Sequence, residues 1–237
     1  MKRQLINSNL WIEQTRGHSF NLDTVLLAHF VKLNYKIKSV LDIGTGNGSL
    51  ALYLSEKTKA KITGIEIQES RYQQALTNVK LNKLESQIDI ILEDYLNTNF
   101  KDIDVIVCNP PFFKVDKSSN LNQDDSITMA RHEISLDLES LIIKVSEQLK
   151  YSGKFFMIHR PDRLIEIIRL CDQNHLTIKR LQLVHSYLDK KANHVLIECS
   201  KYGKDQMIFE PSLIIYQEKH QMTDQAAKLL GGHLNVT

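Results

Sequence analysis

The sequence predicts a doubly wound α/β domain on a mostly parallel sheet. From residue 39 onward, short apolar runs alternate with stretches of helical apolar spacing, the pattern of repeated β-α-β units with right-handed crossovers. Three of those runs stop at Glu66, at Glu93-Asp94 and at Asn109, as strands do where they leave a sheet. No internal repeat, low-complexity block or linker interrupts the pattern, so one domain is expected: a basic, helical extension over 1–38, a core over 39–216 and a surface tail over 217–237.

Taken in order, the apolar spacing of Val25 to Val31 suits a helix, with Asp23 or Thr24 available near its N-cap. Strands are predicted at 39–43, 61–65, 88–92, 104–108 and 154–158, with helices from Ser49, over 69–83, over Leu136 to Lys150, and from Pro161 to about Gln173. Gly153 is read as a helix stop, residues 113–130 as a long polar loop, 177–186 and 193–199 as β-rich runs, and 213–216 as a further short strand.

The totals exclude more than they select. At 237 residues the chain can bury a substantial core, and 42% hydrophobic with 24% charged residues is ordinary for a globular protein. A formal charge of +2 does not identify a nucleic-acid binder. Cys108, Cys171 and Cys199 lie far apart without CxxC or Cys/His zinc spacing, so structural thiols, a reducing compartment and no metal are expected. No apolar run approaches the roughly 20 residues of a membrane span, and Met1–Asn7 lacks a signal-peptide core. A cytoplasmic protein without membrane association is the expectation; nothing sets the oligomeric state, and a monomer is the default.

Asp42-Ile43-Gly44-Thr45-Gly46-Asn47-Gly48 joins a predicted strand to a helix, the setting in which a glycine turn is informative. Glu66 ends the next strand and can accept hydrogen bonds from two ribose hydroxyls at the same sheet edge. A dinucleotide fingerprint has different third-glycine spacing, and Asp42 would repel a pyrophosphate but suits a cationic amino acid group. A tight turn in some other α/β protein explains the glycines alone, but not Glu66 and Asp94 at strand ends.

Asn109-Pro110-Pro111-Phe112 is an unusual strand end, because prolines cannot continue the ladder. It leaves an amide, carbonyls without a mandatory internal partner, and a flat ring, which suits a planar substrate carrying an amino group. Asn109 and the Pro110 carbonyl can accept both amino hydrogens and free the nitrogen lone pair, while Phe112 stacks on the ring. Cys108 has no activating neighbour and is read as a small core residue.

The Asp42–Gly48 pattern resembles that of the Rossmann-like S-adenosylmethionine-dependent methyltransferases. That resemblance implies a mostly parallel seven-stranded sheet with a C-terminal antiparallel hairpin. It also implies that Asp42, Gly44, Gly46 and Gly48 face the methionine part, Glu66 the ribose and Asp94 the adenine amino group, with Asp23 and Asn109 also in the cofactor-facing set. Asn109–Phe112 resembles the motif of enzymes methylating adenine N6, guanine N2 or protein glutamine, and does not choose among them. Gln14-x-x-Gly17, Asp23-Thr24-x-Leu26-Leu27-Ala28, Ala130-Arg131-His132-Glu133, the Arg160–Leu164 run and the Lys179–His185 run are similar to a bacterial tRNA adenine-N6 methyltransferase family. That family modifies adenosine 37 of tRNA1(Val), which implies the tRNA anticodon loop as partner. Arg131, His132, Lys179, Arg180, Lys190 and Lys191 are then candidate RNA contacts, against the bland reading of surface charges, caps and ion pairs. A non-catalytic Rossmann-like binding module is the different-class alternative, and a dehydrogenase is disfavoured by the glycine spacing.

Overall fold

The computed structural model describes residues 2–14, 22–110, 137–219 and 221–231. The strands are β1 (Lys2–Gln4), β2 (Trp11–Glu13), β3 (Ser39–Ile43), β4 (Lys61–Glu66), β5 (Ile88–Leu92), β6 (Ile103–Cys108), β7 (Leu149–His159), β8 (Leu176–Tyr187), β9 (Ala192–Lys201), β10 (Ile208–Phe209), β11 (Leu213–Glu218) and β12 (Gln221–Met222). The helices are α1 (Leu22–Phe30), α2 (Ser49–Ser55), α3 (Glu69–Leu81), α4 (Leu138–Gln148), α5 (Leu164–Gln173) and α6 (Asp224–Leu230).

The main sheet runs β12-β11-β8-β9-β7-β6-β3-β4-β5, with β10 also paired to β8. Its seven-stranded part from β8 to β5 is the expected core. Strand β9 alone in that part is antiparallel to its neighbours, which makes β8–β9 the expected hairpin. Three short strands beyond β8 extend the sheet.

Every residue of β6 is buried, and neighbouring Phe155 and Phe156 on β7 are both 0% exposed. Such strands are apolar on both faces because helices cover both. Val40, Val105, Val107 and Phe156 pack on one side with α1, α2, α3 and α6. Leu41, Ile106, Phe155 and Met157 pack on the other with α4 and α5.

Asp23 and Thr24, expected near the helix N-cap, lie inside the first turn of α1. Three expectations need correcting. Gly153 is no helix stop: α4 ends at Gln148, and Gly153 lies in an irregularity of β7, where a Cβ would stand 2.9 Å from the carbonyls of Ile103 and Lys150. The tail expectation fails for 224–230, since Ala226 and Leu230 of α6 are buried in the core and Asn7 Nδ2 donates to the Lys228 and Leu229 carbonyls (2.8 and 2.9 Å). The N-terminal extension is also not only helical, because β1 and β2 pair as a hairpin ahead of α1.

At the amino edge of the sheet, Asp104 holds three strands together. Its Oδ2 accepts from the Lys38 and Ser39 backbone N–H groups (2.7 and 3.0 Å), and Oδ1 pairs with Lys150. Burial alone would raise its pKa, but the Lys150 ammonium and those amide donors hold it below the usual carboxylate value. A carboxyl depressed in this way stabilises the fold above its unfolded pKa and loses that contribution as pH falls through the folded value. Asp104→Asn is therefore expected to cost roughly 2–3 kcal/mol near neutrality, and less in acid below the ordinary carboxylate range. Denaturant melts in the two pH regimes check this.

Candidate active site

Parallel register brings the predicted site residues to one edge. Ile43 lies opposite Ile65 on β4 and opposite Cys108 on β6, so the residues that follow each strand stand side by side. The Gly44–Gly48 turn, Glu66 and Asn109 thus share the carboxyl rim, the usual ligand crevice of an open α/β sheet.

The turn is anchored by the Thr45 backbone N–H donating to the Ile65 carbonyl at 3.0 Å. Gly44 has φ +65, and among the described residues a Cβ there would meet nothing within 4 Å, so open space fronts the turn. Gly48 has φ +82 and packs on α3, where a Cβ would stand 3.4 Å from that of Ala75. Glu66, 3% exposed, accepts from the Gly46 N–H through Oε2 (2.8 Å) and from the Gln68 N–H through Oε1 (2.9 Å). Each carboxylate oxygen has more than one acceptor direction, so this bracing leaves capacity for hydroxyl donors. Asp94 is half-buried at the end of β5, and its Oδ1 caps the following 3-10 turn through the Leu96 N–H (2.9 Å).

Asp42, 1% exposed, lies behind the turn and accepts from Thr45 Oγ1 at 2.6 Å. Burial pushes its pKa up to about 7, against the Thr45 and Ala51 hydrogen bonds and with the nearby Glu66 charge. Sequence reasoning missed Thr45, and also Gly64 on β4, where a Cβ would stand 2.9 Å from the Thr45 side chain. It missed Asn78, 0% exposed on α3, which donates to the Asn47 and Glu13 carbonyls (2.9 and 3.1 Å) and so ties the turn to β2. Asn78 and Asn82 form a four-residue polar spacing on one helix face, a signal the sequence does contain. Arg71 was missed too: its Nε is buried without a hydrogen-bond partner among the described residues, and its Nη1 lies 3.6 Å from a Cβ position on Gly46.

At the end of β6, Asn109 is half-buried and Pro110 buried. Asn109 Nδ2 donates to Thr24 Oγ1 on α1 at 3.3 Å. Beside Thr24, Asp23 lies 3.2 Å from His194 Nε2 on β9; burial raises its pKa and the His194 charge opposes that. His159, at the end of β7, is buried and accepts from the Arg160 N–H through Nδ1 (2.8 Å), and burial is the chief cause that lowers its pKa below the ordinary imidazole value. Neither histidine was anticipated. Cys108 is 1% exposed and burial pushes its thiol up, which suits a core residue. Pro111, Phe112, loop 113–130, Arg131 and His132 lie outside the described residues.

The second basic region divides. Lys190 and Lys191 are exposed on the β8–β9 turn, at the carboxyl rim because β9 runs antiparallel to β7 and Val195 pairs with His159. Lys179 lies towards the other edge, where its Nζ donates to the Lys204 carbonyl at 2.7 Å. Arg180 requires correction as an RNA contact. It is 6% exposed, pairs with Glu198 (2.7 Å) and Glu210 (3.3 Å), donates to the Phe30 carbonyl (2.6 Å) and stacks on the Phe30 ring. A guanidinium so committed holds α1 to the sheet.

Fold and rim together define an S-adenosylmethionine-dependent methyltransferase of the Rossmann-like class. Residues 21–162 match the family described as Methyltransferase small domain. The fold is similar to that of a predicted O-methyltransferase from Agrobacterium tumefaciens, with a TM-score of 0.68 and 19% identity, covering 89% of this chain and 96% of the other. It is also similar to geranyl diphosphate C-methyltransferase from Streptomyces coelicolor, solved with S-adenosyl-L-homocysteine, at TM-score 0.57 and 13% identity over 75% and 76% of the two chains. A tRNA1(Val) (adenine(37)-N6)-methyltransferase from Porphyromonas gingivalis is 35% identical over 185 residues, 74% of this chain and 71% of the relative. The chain belongs to the tRNA1(Val) (adenine(37)-N6)-methyltransferase family. Among the described residues no helix is long and apolar enough to cross a membrane.

Asp42 sets a pH dependence of the protein without ligand. Its pKa is about 7 in the fold against an ordinary 3.8, so between those values the native state keeps a proton that the unfolded chain releases. Its contribution is fully present in acid and declines as pH rises through the folded value. Asp42→Asn is expected to flatten that decline and to gain roughly 2–4 kcal/mol over wild type on the alkaline side. Thermal melts across the pH range check it.

Proposed function

We propose that this chain methylates the exocyclic N6 of an adenine in tRNA, adenosine 37 of tRNA1(Val), in the cytoplasm. The carrying observation is Asn109 beside the glycine turn with its Nδ2 already engaged by Thr24, so that the amide oxygen is left to accept from an amino group. The relatives support the substrate, being named for that position and base. Open space before Gly44 and the spare acceptor capacity of Glu66 fit the cofactor.

When bound, S-adenosylmethionine supplies an electrophilic methyl group on a sulfonium. The Gly44–Gly48 turn and Asp42 would hold its amino acid part, Glu66 its ribose, and Asp94 its adenine amino group. The chemistry left to the chain is orientation. An exocyclic amine is a poor nucleophile because its lone pair is delocalised into the ring. Asn109 Oδ1 and the Pro110 carbonyl accept its two hydrogens and draw the nitrogen towards pyramidal geometry, and Phe112 holds the ring plane. No strong base is required, since the ammonium-like product sheds its proton to water. Alignment of this kind is worth about 7–11 kcal/mol in well-oriented reactions. Lys190 and Lys191, exposed on the same rim, would meet RNA phosphates.

Wild-type protein given labelled cofactor and bulk tRNA, rRNA and protein is expected to place label in N6-methyladenosine of tRNA; label only in N2-methylguanosine or in protein overturns the substrate. Asn109→Ala should keep cofactor affinity and lose on the order of 10²-fold in rate, which single-turnover kinetics measures. The pair Lys190→Glu and Lys191→Glu should weaken tRNA binding and flatten its salt dependence by about one unit of slope per lost phosphate contact. Filter binding across a salt series reads that slope.

A further inference from the structure

We infer that Thr24 is a positioning residue for this reaction: its hydroxyl holds the Asn109 side chain in the one amide orientation that presents oxygen to the target amine. The inference rests on the proposed transfer to an amine and concerns what makes Asn109 competent for it.

A primary amide is nearly symmetric in shape but opposite in chemistry at its two ends, one an acceptor and the other a double donor. The target nitrogen has two hydrogens to donate and must keep its lone pair for the methyl group. Asn109 Oδ1 facing it accepts a hydrogen and leaves the lone pair open. Asn109 Nδ2 facing it would set donor against donor, or bind the lone pair itself. A half turn about the terminal side-chain torsion therefore separates a productive site from an inhibited one, and that torsion is soft.

Thr24 supplies the bias by acting as acceptor with its own proton turned away from the amide, since a hydroxyl that donated would select the opposite amide face. Its Oγ1 lies 3.3 Å from Asn109 Nδ2, from a residue 85 positions away in sequence. Among the described residues, this hydroxyl is the only hydrogen-bond partner of the Asn109 side chain. The hydroxyl is itself held in place. Thr24 is 7% exposed in the first turn of α1, which continues through Val25, Leu26 and Leu27, each at most 1% exposed. The preceding Asp23 is tied to β9 through His194 at 3.2 Å, and Arg180 donates to the Phe30 carbonyl at the far end of the helix. Helix α1 is thus fastened at both ends while its first turn touches the catalytic amide. Valine at position 24 would keep the shape and remove the acceptor.

The test uses the full chain with Thr24→Val and Thr24→Ser, measured on whichever amine substrate the wild type labels. Loss of one orienting hydrogen bond is expected to lower the single-turnover rate of Thr24→Val about tenfold. Its affinity for S-adenosylhomocysteine and its KM for tRNA should stay within about twofold of wild type. Thr24→Ser keeps the hydroxyl and should restore most of the rate. In the Thr24→Val background, Asn109→Ala should cost less than it does in wild type. A wild-type rate in Thr24→Val overturns the inference, as does a Thr24→Ser variant equally slow or a rate loss matched by weaker cofactor binding. An Asn109 side-chain NH2 resonance that is unmoved between wild type and Thr24→Val overturns it independently of any activity. A wild type that labels guanine or glutamine instead of adenine overturns the substrate reading and leaves the Thr24 comparison intact.

Discussion

The site depends on one buried carboxylate. Glu66 takes the Gly46 N–H on one oxygen and the Gln68 N–H on the other, and so fixes the glycine turn against the start of α3. An unpaired carboxylate at 3% exposure would be costly, and satisfaction by two backbone donors offsets the loss of water. The same bonds consume N–H groups that the tight turn cannot place in the sheet ladder. Around this clamp, Gly64 makes room for Thr45, Thr45 bonds Asp42, and Asn78 secures the Asn47 carbonyl.

The rim owes its chemistry to a contrast between two of its carboxylates. Glu66 is braced by backbone donors, whereas Asp42 is fully buried with the Thr45 hydroxyl and a backbone contact, and its proton is held up to about neutrality. A cationic ligand group arriving near Asp42 would favour its ionised form, so electrostatic cost in the empty fold becomes affinity in the loaded one. On the neighbouring strand the problem is different: Asn109 carries no charge, and its usefulness depends on which way a neutral amide points. Helix α1 bears on that strand through Thr24 and on β9 through Asp23.

Much of this was legible in the sequence. Glycines at 44, 46 and 48 announce positive φ, and the structure has it at all three. Asn109-Pro110 announces a strand end because proline lacks the N–H a ladder needs. Arg180 was misread because charge in a strand does not state direction: a register shift between Ile178 and Arg180 accompanies its inward turn towards Glu198. Lys179 stands away from the rim for a related reason, since which end of β8 reaches the rim depends on how it pairs with β9. Gly153 looked like a stop because helix C-termini and strand irregularities demand the same residue.

By itself, the sequence determined the local matters: the alternation that makes a doubly wound sheet, the turn that only glycines can follow, and the strand that must end at Asn109. These rest on backbone sterics and apolar periodicity, which act over a few residues. The tertiary structure decided which polar groups meet. Thr24 faces Asn109, Asp23 faces His194, and Arg180 is spent on the Phe30 carbonyl and two carboxylates. Those pairings follow from strand order, register and the seating of α1 across the sheet. No run of neighbouring residues encodes them, because a side chain's partner is set by the packing of distant elements and by the cost of leaving a buried polar group unmatched.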